Sequence, residues 1–258
     1  MTDIVTSFFL SFSHDTVIIP FVIIGYIWLD RNLFFNAICL ILLSIIFNSA
    51  LKITFQIPLS PLLNKKGFAF PSGHMMSSAV LYGWILLHTQ NLFYRTSIII
   101  VLFGIAFSLV HCGYHNYYDI LGAAFFALLL VTSYYKILQI NRAILAKTVF
   151  IIATVMMIYI GIRYTQIPEH LWMAYYGLIG ITISEKVFTK NQAPEKILDK
   201  LLSTIACFSS ILITEALFSM QIFSTFPEFL SQIKWMIIAF SIPFAKIAPN
   251  LVRKYARK

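Results

Sequence analysis

Two histidines and one carboxylate stand out in an otherwise apolar chain: His74 follows Pro71-Ser72-Gly73, and His115 is followed four residues later by Asp119. Polar groups at helix mouths in a membrane protein are costly to hold and tend to be functional. If Asp119 accepts a hydrogen bond from one ring nitrogen of His115, the other nitrogen carries a lone pair aimed outward. A neutral imidazole held in that way is a nucleophile towards phosphorus, and a second imidazole, His74, can protonate the departing oxygen. Ser72 sits where an N-cap belongs, with Gly73 and His74 in the first helical turn. Unpaired backbone N–H groups and the positive helix end then face the loop and suit a phosphate oxygen. Lys52 adds a full positive charge. The chemistry open to this set is phosphoryl transfer through a phosphohistidine, with no metal and no cofactor.

The elements that must position these residues are membrane helices. The chain has 258 residues, of which 59% are hydrophobic and 11% charged, with a mean hydropathy of +0.83, whereas soluble domains are about 25% charged. Nine apolar stretches lie between charged or Pro/Asn-containing breaks, at 16–29, 33–51, 74–90, 96–111, 119–138, 148–164, 170–184, 199–218 and 233–248. Helix is expected for all of them, because an isolated strand leaves backbone groups unpaired in lipid and no strict alternation suggests a barrel. An all-α, polytopic transmembrane bundle of about nine helices follows, with residues 1–258 forming one integral-membrane domain. Residues 1–14 are too short to span; Phe8, Phe9, Leu10 and Phe12 mark them as an interfacial anchor. His115 and Asp119 share a helix face if the fifth stretch begins its helix a turn early.

Parity then decides whether a site exists at all. Alternate loops put Lys52, His74, His115 and Asp119 on one side of the membrane. That side carries Lys52, Lys65, Lys66, Arg163 and Lys234, five of the 19 basic residues, and the other carries the remaining fourteen, including Arg253, Lys254, Arg257 and Lys258. The positive-inside rule therefore predicts a site facing the periplasm or exterior of a bacterial inner or plasma membrane, with the C-terminus in the cytoplasm. The net charge of +9 is mostly this topology signal, and no nucleic-acid partner is expected. The partners expected are membrane lipids and a phosphorylated lipid substrate. Cys39, Cys112 and Cys207 lack metal-ligand spacing and form no disulfide framework.

These residues resemble the signatures of the type 2 phosphatidic acid phosphatase superfamily of lipid phosphate phosphatases: Lys-x6-Arg-Pro, Pro-Ser-Gly-His and Ser-Arg-x5-His-x3-Asp. The second is whole at Pro71 to His74. The third is present as Ser108, Leu109, His115 and Asp119, followed by Ile120-Leu121-Gly122. The first is present as Lys52 alone, with Leu59 and Ser60 at the Arg-Pro positions. The resemblance spans about residues 33–138 and implies a six-helix phosphatase-like core, with 148–258 as additional helices and a cytoplasmic tail. It implies His115 as nucleophile, Asp119 as its orienting carboxylate, His74 as general acid, and Lys52, Ser72 and Gly73 as phosphate ligands.

Leu59 and Leu109 replace the two arginines that would grip a phosphate bidentately, and charge-assisted pairs of that kind have no apolar substitute. Lys65, Lys66, His111 and Arg163 are the other cations on that side. The leading expectation is a metal-independent lipid phosphatase acting on a lipid phosphomonoester or pyrophosphate. The alternatives are a lipid phosphotransferase that passes the phosphoryl or head group to a hydroxyl acceptor, and a non-catalytic lipid-binding protein on a decayed phosphatase scaffold.

Overall fold

The computed structural model describes residues 2–59, 67–164, 166–188, 196–220 and 231–256. They form helices α1 (Thr2–Ser11), α2 (Asp15–Ile24), which continues as a π-helical turn over Gly25–Leu29, α3 (Arg31–Phe55), α4 (Gly73–His88), α5 (Leu92–His111), α6 (Tyr117–Ile140), α7 (Arg142–Arg163), α8 (Glu169–Phe188), α9 (Ile197–Phe218), α10 (Ile233–Ala245) and α11 (Ala248–Ala256). Among the described residues, the isolated β-structure is one bridge pairing Pro58 with Phe68. The chain is an all-α, multi-helix membrane protein. Among the described residues five helices, α3, α5, α6, α7 and α9, are long and apolar enough to cross a bilayer, and α1 with α2, bent by 43° at the break, makes up to a sixth. At 1.5 Å per residue the 25 residues of α3 reach about 37 Å, enough for a hydrocarbon core of about 30 Å.

Burial along α7 shows how these helices are solvated. Ala153, Met157 and Ile160 face inward and are buried, while Ile151, Val155, Ile158 and Ile162 are between 58% and 77% exposed. A helix facing water would carry charge on its outer side. Here the outer side is as apolar as the inner, which fits lipid as the solvent.

By packing, the chain divides into two compact units, one of residues 1–22 and 36–166 and the other of residues 23–35 and 167–258. In the first, α4 packs against α5 and α6, α6 against α7, and α1 against α5. The polar ends of α4, α5 and α6 are capped by the short side chains their sequences supply: Ser72, Asn91 and Asn116 each accept from a backbone N–H of the first turn. Buried Asn36 of α3 accepts a hydrogen bond from Tyr134 of α6 at 2.8 Å. The N-terminal segment, expected as an interfacial anchor, forms helix α1, which packs on α5. The ring of Phe9 fills the space where a Cβ on Gly104 would lie, so α1 docks on α5 through a residue without a side chain.

In the second unit α10 packs against both α8 and α9, and α11 against α9. Ser184 donates to the carbonyl of Phe240 at 2.6 Å, tying α8 to α10. Tyr26 and Arg31 both donate to Glu185, at 2.7 Å and 2.9 Å. Lys200 donates to the carbonyl of Trp28 at 3.0 Å. Lys234 lies 3.9 Å from Glu169 and 3.8 Å from Glu215, so Glu215 is an ion-pair member inside this unit.

Candidate active site

Lys52, Ser72, Gly73, His74, His115 and Asp119 all belong to the first unit. Lys52 closes the last turn of α3, and Ser72-Gly73-His74 opens α4. His115 lies in the connection from α5, and Asp119 in the first turn of α6. The backbone N–H of Ser72 donates to the carbonyl of Asp119 at 3.1 Å, which locks the start of α4 to the start of α6. Lys52 is close enough to Asp119 and to both histidines for their charges to act on one another, as are His74 and His115.

The pairing of His115 with Asp119 has a different origin from the shared helix face expected for four-residue spacing. Helix α6 begins only at Tyr117, and Asn116 is its N-cap. The side chain of Asn116 accepts from Asp119 N–H at 2.9 Å, and the Asp119 carboxylate reaches back to accept from Asn116 N–H at 3.1 Å. That reciprocal capping box turns the carboxylate out of the helix towards His115, where Oδ2 lies 3.3 Å from Nδ1. The other ring nitrogen, Nε2, is left for a reacting atom. On the other side of the ring's chain, the carbonyl of Leu109 accepts from the N–H groups of Tyr114 and His115 at 3.1 Å and 3.2 Å, fixing the entry to the loop.

The His115 side chain is 9% exposed and that of Asp119 is 3% exposed. Burial, the largest influence, pulls the His115 pKa below 6.5, and the hydrogen bond and charge of Asp119 oppose it without cancelling it. The ring is therefore neutral at neutral pH, the form a nucleophile needs.

Ser72 is fully buried and its Oγ accepts from the N–H of Met75 at 3.4 Å. As the acceptor in the cap, the hydroxyl keeps its own proton for an incoming oxygen. The first N–H groups of α4 lack intrahelical acceptors and open beside the exposed ring of His74. Asn48, buried one turn before Lys52 on the same helix face, donates to the carbonyl of Pro71 at 3.2 Å and holds this loop to α3. It is a positioning residue that the motif reading passed over. Its signal was available, since a lone Asn deep in an apolar run must find a partner. The ring of Phe70 takes the space of a Cβ on Gly122 and stacks edge-on with Phe55 at 5.0 Å. The glycine after Asp119 thus seats the loop preceding Ser72.

The other candidate cations fare differently. Lys65, Lys66 and Ser60 lie outside the described residues. His111 ends α5 stacked on Phe107 at 5.4 Å. Arg163 lies over the ring of Tyr159 at 5.9 Å, and the Tyr159 hydroxyl is hydrogen-bonded to Thr54 at 3.1 Å, so Arg163 stands at the same end of the unit as Lys52. Leu109 is 2% exposed, packed as an ordinary core leucine. Among the described residues no three His, Cys, Asp or Glu side chains group as metal ligands.

Comparison with known proteins agrees with the motifs. The model of the PAP2 superfamily matches residues 33–143, a stretch that runs from the start of α3 into α7 and includes all six residues of the candidate site. No curated protein and no solved structure matches the chain.

Proposed function

Residues 33–143 belong to the PAP2 superfamily, and from that membership we propose that the chain is an integral-membrane lipid phosphatase working through a phosphohistidine at the outer membrane face. The observation that carries this reading is the 3.3 Å contact of His115 Nδ1 with Asp119, made in a connection that also faces His74 and Lys52. In the first step His115 Nε2 forms a bond to phosphorus and the P–O bond to the leaving group breaks. The electron pair goes to that oxygen, and the proton comes from His74 in its protonated form, which burial and the neighbouring His14, His115 and Lys52 disfavour and Asp15 favours. In the second step water attacks phosphorus, gives a proton to His74, and the P–N bond breaks. Lys52, the Ser72 hydroxyl and the N–H groups at the start of α4 hold the phosphoryl oxygens throughout.

The test is incubation of the purified chain in detergent with a panel of phospholipid monoesters and polyprenyl pyrophosphates, following phosphate release with and without hydroxyl acceptors. Release from at least one lipid, unaffected by chelators, is expected; no release from any of them overturns the reading. A second reading, transfer to a hydroxyl acceptor, is favoured by the apolar side chain of Leu109 in the place of an arginine. One lysine with backbone donors complements a monoanionic phosphodiester better than a dianion. Product that appears only when the acceptor is present supports transfer over hydrolysis.

The neutral state of His115 predicts the pH profile. Protonation of the nucleophile sets the acid limb of kcat/KM, and because burial holds its pKa below 6.5, that limb should lie on the acid side of 6.5. A limb at or above 6.5 speaks against His115 as the attacking group.

The proposed orientation has a built-in reporter, because Cys112 beside the site is exposed while Cys39 and Cys207 are buried. In intact cells a membrane-impermeant thiol reagent should label the chain, and Cys112→Ser should abolish labelling. Gln90→Cys in that background, in the connection between α4 and α5, should be labelled only after permeabilisation. The reverse pattern moves the chemistry to the cytoplasmic leaflet.

A further inference from the structure

The break between α1 and α2 brings a third imidazole to the site. His14, the residue before α2, lies with its ring centroid 5.8 Å from that of His74, the planes inclined at 43°. Asp15, the next residue, places its carboxylate close enough to act on charge at the His74 ring. The arrangement is held from several directions. Tyr82 of α4 donates to the carbonyl of Phe12 at 2.8 Å, and Ser13, itself buried, donates to the carbonyl of Leu10 at 2.7 Å. Phe9 seats α1 on Gly104 of α5. Both His14 and Asp15 remain exposed, so the packing fixes the backbone while leaving the two polar side chains open.

Their position has a chemical meaning only relative to His74. In the proposed reaction, on which this inference rests, His74 hands its proton to the oxygen leaving phosphorus, so the rest of the leaving group lies beyond His74 and away from His115. His14 and Asp15 occupy the neighbourhood of that ring. We propose that His14 and Asp15 form the leaving-group subsite, fitted to a leaving group that carries a free hydroxyl or amine near the scissile oxygen and unfavourable to one that carries a second phosphate. The imidazole can donate or accept a hydrogen bond, and the carboxylate accepts from a hydroxyl or ammonium. A second phosphate set against the carboxylate meets like charge instead. Lys52 and His115 also act on charge at the His74 ring, and the carboxylate of Asp15 is the group of opposite sign among these neighbours.

The subsite can be read by binding in the full-length His115→Ala protein, which is not required to turn anything over. Three probes are compared in detergent by calorimetry: inorganic phosphate, glycerol 3-phosphate and inorganic pyrophosphate. Glycerol 3-phosphate should bind more tightly than phosphate, and adding His14→Ala or Asp15→Asn should reduce that preference by about tenfold, the worth of one hydrogen bond to a charged group. His14→Gln, which keeps a donor and an acceptor, should retain part of it. Asp15→Asn should also raise the affinity for pyrophosphate relative to phosphate. Equal binding of phosphate and glycerol 3-phosphate in the parent, or preferences unmoved by both substitutions, overturns the subsite. Preferences that shift as described in a chain whose wild-type form releases no phosphate from any lipid leave the subsite standing and remove the phosphatase reading.

Discussion

Replacing His115 with alanine should abolish turnover while the helices stay folded. The ring stands in a short connection, and the loop it occupies is held by backbone bonds to Leu109 and by the Asn116–Asp119 capping box, neither of which uses the imidazole. Truncation therefore removes little packing. It removes the atom that bonds to phosphorus, and losing a nucleophile that works as part of a unit typically costs several orders of magnitude in rate, roughly 10⁴-fold or more. Asp119→Asn should be costly for two reasons, since the same carboxylate orients the ring and accepts from the Asn116 N–H. The measurement is phosphate release by each variant beside a circular-dichroism spectrum in detergent. Near-normal release by His115→Ala removes the phosphohistidine mechanism, whereas lost helicity in that variant shows a structural role for the ring.

The parts of this site that were legible in the chain were the local ones. Pro71 to His74 announced a helix start because Ser at an N-cap followed by Gly has a direct backbone meaning, and the structure puts the cap at Ser72. The spacing of His115 and Asp119 announced their contact but suggested the wrong reason for it. Four-residue spacing usually reports a shared helix face, and here Asn116 intervenes as a cap, so the contact is made by a carboxylate folded back over the helix start. Positions that depend on long separations in sequence were not legible. His14 stands 60 residues before His74, and nothing near it in the chain reports that Tyr82 will hold Phe12 or that Gly104 will admit Phe9. Arg31 shows the same limit. It contributes to the positive-inside count as a loop charge, yet its partner is Glu185, 154 residues away.

That ion pair supplies the largest stability effect expected in the second unit. The Arg31 side chain is 10% exposed and the Glu185 side chain 15%, so both charges have been taken largely out of solvent. Glu185 accepts from Arg31 Nη2 at 2.9 Å and from Nε at 3.2 Å, and from the Tyr26 hydroxyl at 2.7 Å. One carboxylate oxygen thus joins a guanidinium and a phenol. Glu185→Ala strips the guanidinium of its counter-charge and the phenol of its acceptor at once, and for a partly exposed pair that should cost up to about 3 kcal/mol, the low end of what breaking a fully buried pair from one side costs. Arg31→Ala should cost less than Glu185→Ala, because Tyr26 can still donate to the remaining carboxylate. The double variant should be less destabilised than the sum of the two, since both substitutions remove the same Arg31–Glu185 hydrogen bonds. Chemical unfolding in mild detergent, followed by tryptophan fluorescence, measures all three; additive losses, or a Glu185→Ala variant as stable as the parent, show that the pair is solvated and does not organise this unit.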